Sequence, residues 1–147
     1  GGQRIDKHYG DWLNIWNELT QPPGKQTGFD NMVGNTVELT GTGLNSTQAT
    51  TLYVPLQFWF CRNQGLALPL IALQYHEVKI NLEFRNKNEC YVASETPGNC
   101  GTVTSGGLSG FCVPSLEGAS LYVDYIFLDT DERRRFAQSS HEYLVEQ

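Results

Sequence analysis

The sequence predicts an all-β protein, an antiparallel jelly-roll sandwich carrying one short helix. Three observations predict it. Residues 52–61 and 75–85 alternate with the period of two that a half-buried strand requires, and residues 120–130 form a third apolar, aromatic strand-like run. Long polar stretches rich in Gly, Thr and Asn separate these runs, as loops between strands do. No alternating βα units and no internal repeat are present, and one stretch alone, residues 11–20, keeps a strong helical period. The chain has 147 residues, enough for one domain. Its 39% hydrophobic and 12% aromatic content argues against disorder.

Taken in order, residues 1–9 read as the end of a strand running into a turn. Asp11 is the expected N-cap of the helix, and Trp12, Ile15, Trp16 and Leu19 form its apolar stripe at i, i+3, i+4, i+7. Pro22-Pro23-Gly24 stops the helix by Thr20. Such a stripe packs on a sheet more often than it serves as a ligand platform. Residues 21–51 read as surface loop, with a short strand at 35–40 and a formal glycosylation sequon at Asn45-Ser46-Thr47.

The strongest unit follows. In the first strand, Leu52, Val54, Leu56, Phe58 and Phe60 share one face; Tyr53, Pro55, Gln57, Trp59 and Cys61 share the other. Arg62-Asn63-Gln64-Gly65 is a turn signal, and an apolar run, residues 66–73, is broken by Pro69. In the second strand, His76, Val78, Ile80, Leu82 and Phe84 face one way, opposite Tyr75, Glu77, Lys79, Asn81, Glu83 and Arg85. Residues 85–119 form a second long Gly-rich loop. Residues 120–130 are apolar on both faces apart from Asp124, as a strand covered on both sides is. Residues 131–135 read as a charged turn or helical turn, solvated and laced with local ion pairs. Residues 141–147 begin a further strand.

The chemistry is sparse. The net charge is −6 and the pI about 4.9, against a dedicated nucleic-acid binder. The longest apolar run, residues 66–73, falls well short of the ~20 residues a membrane-spanning helix needs. Cys61, Cys90, Cys100 and Cys112 include no C-x-x-C pair, so a zinc site is not expected. Mostly free thiols are expected, with one disulfide within 90–112 open in an oxidising compartment. Cys61 reads as a small buried hydrophobe. His76-Glu77 and His141-Glu142 begin like a zincin motif, but Ile80 and Val145 stand where its second histidine belongs. Ser109 follows Gly107, yet Phe111 replaces the second glycine of a nucleophile elbow. The glycine-rich loop lacks the Gly-Lys-Ser/Thr ending of a phosphate loop. No enzyme signature and no cofactor site emerge. The chain opens without Met, as a piece of a longer protein does.

Three blocks carry a family likeness: GGQRIDKHY (residues 1–9), GLALPLIALQYHEVKINLEF (65–84) and LYVDYIFLDTDERRRFAQSSHEYLVEQ (121–147). Together, and in this order, they resemble the major capsid protein of nucleocytoplasmic large DNA viruses, most closely the phycodnavirus type. The resemblance implies a double jelly roll in which residues 1–147 form a single domain, the later part of the incomplete first jelly roll, with the second roll absent from this chain. It implies a structural, non-catalytic protein of the virion. It also implies homotrimeric capsomers that contact neighbouring capsomers and minor capsid proteins, with no nucleic-acid binding and no membrane insertion. Under that likeness Arg62, Asp131, Arg133 and Arg134 are candidate inter-subunit contacts. A carbohydrate-binding β-sandwich of lectin type is the alternative, because jelly rolls serve both roles.

Overall fold

The computed structural model describes residues 2–41, 49–91 and 115–145. The sequon at Asn45, the glycine-rich stretch with Ser109, and Cys100 and Cys112 lie outside them. The chain divides into two compact units: Gly1–Gln26, Val54–Ile80 and Asp124–Gln147 make one, and Thr27–Tyr53 with Asn81–Val123 make the other.

The all-β expectation is overturned. Among the described residues no strand forms, and the regular structure is helical: α1 Gly10–Thr20, α2 Gln26–Val33, α3 Val37–Thr40, α4 Trp59–Arg62 and α5 Thr130–Gln138, with short 3-10 turns at Pro23–Lys25, Gln64–Leu66 and Lys87–Glu89. The physical reason lies in what alternation specifies. It assigns residues to faces, whereas a strand exists only through a ladder with a partner segment. Residues 77–85 and 115–128 form no regular element and make no backbone–backbone hydrogen bond among the described residues. Their apolar side chains, Val78, Leu82, Phe84, Tyr122 and Phe127 among them, stand exposed. Glu77 and Lys79, expected on one face, pair at 2.9 Å. Residues 2–9 and 141–145 likewise form no strand.

In the first unit, α1 matches the helix that the tryptophan stripe predicts. Its cap lies two residues earlier, however, at Tyr9 with no side-chain capping bond, so Asp11 sits in the first turn. There its charge still favours the positive helix end. Gln21 turns extended immediately before Pro22, as the proline ring requires of its predecessor, and its N–H closes on the Asn17 carbonyl at 2.9 Å. Residues 59–62, expected to continue a strand, coil into α4 instead. The turn signal after it holds: the Asn63 side chain accepts from the Gly65 N–H at 2.9 Å. The apolar run with Pro69 is a turn, with the Ala72 and Leu73 N–H groups both on the Pro69 carbonyl.

In the second unit, the stretch expected as loop with a strand at 35–40 holds α2 and α3. Gly34 ends α2 with φ +82°, and Asn35 N–H reaches back to the Asp30 carbonyl at 2.8 Å, the six-to-one closure of a Schellman motif. Asn35 Nδ2 adds a bond to Asp30 Oδ1 at 3.1 Å. The Tyr53 N–H ties to the Met32 carbonyl at 2.8 Å. A side chain on Gly34 would meet Leu52 Cδ2 at 2.8 Å and Leu39 Cδ1 at 3.0 Å, so this glycine permits both the left-handed turn and the close approach.

Candidate assembly surface and the aromatic cluster behind it

The first unit is built around rings. Trp59, the first residue of α4, is the one buried apolar residue among the described residues, 8% exposed. Its indole meets Phe60 edge-on at 5.4 Å and tilts against Tyr143 at 5.7 Å. Phe60 stacks on Phe58 at 5.4 Å, and Phe58 stacks on His8 at 4.6 Å. His8 leans on Trp12, and Trp12 on Trp16. Tyr143 continues to His141, and His141 to Phe136. A continuous aromatic run thus joins the N-terminal segment, α1, residues 58–60, the end of α5 and residues 141–143. Tilted, stacked and edge-to-face pairs of this kind add about 0.5–1.5 kcal/mol each beyond area burial.

Polar groups fix the run at its edges. His8 Nε2 lies 3.0 Å from Asp6 Oδ2, and both side chains are largely covered. The Arg62 guanidinium lies over the Trp16 ring at 3.8 Å and donates to the Gln57 carbonyl at 3.1 Å. A planar, delocalised cation suits both contacts at once. Asn17, as buried as Trp59, donates through Nδ2 to Gln26 Oε1 at 3.3 Å. Only Trp12 and Trp16 of the α1 stripe join the run; Ile15 and Leu19 stay exposed.

The α5 helix starts by a mechanism written in its sequence. Asp129 Oδ1 accepts from the Glu132 N–H at 2.8 Å, and Asp131 and Glu132 occupy the first turn with Arg135 in the last. At the other end the His141 ring donates from Nε2 to the Phe136 carbonyl at 2.7 Å. A carbonyl only accepts, so Nε2 carries the proton, and one of the four unsatisfied terminal carbonyls gains a partner.

The candidate site residues fall as follows. Arg62 is half-buried and engaged with Trp16 and residue 57. Asp131, Arg133 and Arg134 are exposed on α5 and make no ion pair among the described residues, so the expected local ion pairs of this turn are not formed. Asn45 lies outside the described residues. Sequence reading missed Asn17 and the capping roles of Asp129 and His141. The signal for Asp129 was present as Asp129-x-x-Glu132, a capping-box spacing. Nothing local marked Asn17.

Cys61 and Cys90 are free thiols, and Cys61 is exposed rather than a buried hydrophobe. Partial burial pushes the Cys61 thiol above its ordinary range, while the Phe58 backbone and the Arg62 charge pull the other way. Among the described residues no three His, Cys, Asp or Glu side chains gather as a metal site, and no helix is long and apolar enough to cross a membrane.

Comparison with known proteins gives this architecture a family. A family model described as the major capsid protein N-terminus matches residues 1–129. All of the chain aligns with the major capsid protein of Pyramimonas orientalis virus at 58% identity, covering 33% of that protein. It aligns over its full length with the major capsid proteins of Phaeocystis pouchetii virus at 53% and Paramecium bursaria Chlorella virus 1 at 44%, covering 32% and 30% of them. The chain belongs to the major capsid protein family of nucleocytoplasmic large DNA viruses, as the three sequence blocks imply. It spans about a third of the length of these relatives. No solved structure matches it.

Proposed function

We propose that this chain is part of the N-terminal portion of a capsid-building protein. Its role is structural and non-catalytic, its place is the virion shell, and its protein assembles as a homotrimeric capsomer beside neighbouring capsomers and minor capsid proteins. The observation that carries the reading is the full-length match of the 147-residue chain to major capsid proteins at 44–58% identity. The absence of an enzyme motif in the sequence is in keeping with it.

Within that role, α5 presents the inter-subunit contacts, through Asp131, Arg133 and Arg134. Arg62 acts by holding Trp16 and residue 57, and so the surface around them. Asn45 is the glycan acceptor in this reading. A carbohydrate-binding module gains no support. Trp59 is buried, Trp16 lies under Arg62, and the relatives named above are capsid proteins.

The test is expression of the protein at its natural length, followed by sedimentation and electron microscopy. Trimers that close into shells are the expected result. A monodisperse monomer that binds a glycan array overturns the reading.

A further inference from the structure

We draw no further inference here: the strongest candidate, the exposed apolar and aromatic segment at residues 121–127 that leads into α5, carries nothing because nothing in the structure shows what covers it.

Discussion

Residues 52–60 and 121–128 carry similar apolar, aromatic-rich patterns and meet different surroundings. In the first, Trp59 is 8% exposed and tilts against Tyr143, and Phe58 stacks on His8. In the second, Tyr122 and Phe127 are 82% and 90% exposed. Composition does not separate them. What separates them is the supply of rings from distant segments: His8 and Tyr143 reach residues 58–60, with Trp12 against His8, and no such ring meets 121–127 among the described residues. Burial of a patterned segment is therefore a property of its neighbours as much as of its own side chains.

Substitutions make that contrast measurable. Trp59→Ala should cost the most, about 3–5 kcal/mol, because it removes the buried centre of the ring run. Urea denaturation followed by circular dichroism reads it, and a cost below 1 kcal/mol would break the contrast at its packed end. Gly34→Ala should follow at about 1–3 kcal/mol, from the left-handed backbone and the approach to Leu52 and Leu39. It tests whether the second unit has a packed point of its own, and thermal melting is the readout. Asp129→Ala should cost about 1 kcal/mol through the lost N-cap, with reduced helical ellipticity, and Asp129→Asn or Ser should restore most of it. Phe127→Ser should change the stability of the dissociated chain by no more than about 0.5 kcal/mol. A loss there comparable to that of Trp59→Ala would show that the exposed segment is packed in solution, and the contrast would fall.

Much of the local structure was legible. The stripe Trp12, Ile15, Trp16 and Leu19 with Pro22 beyond it places α1, because spacing and the proline rule act within a few residues. Asn63 and Gly65 place the turn for the same reason. Asp129-x-x-Glu132 held the start of α5 in view, although the apolar run before it drew the reading towards a strand. For α2, Phe29, Met32 and Val33 at helical spacing before Gly34 were signals of the same grade, masked by the polar composition around them. The strands were misread because a ladder depends on a partner segment, which pattern alone does not supply. Of the candidate site, the exposed charges of α5 were visible in sequence, whereas the engagement of Arg62 with Trp16 needed the meeting of residues 46 positions apart.

By itself the sequence determined the family, through three ordered blocks, and the elements whose causes are local: α1, its proline stop, the Asn63 turn and the acidic start of α5. Tertiary structure alone decided which apolar residues become a core. It brought His8, Phe58, Trp59, Tyr143 and His141 into one run, buried Asn17, and left 121–127 exposed. The physical reason is that capping, turn and proline effects are contained in a few neighbouring residues. Burial depends on contacts between segments far apart in sequence, whose closure entropy must be outweighed by the surfaces that meet.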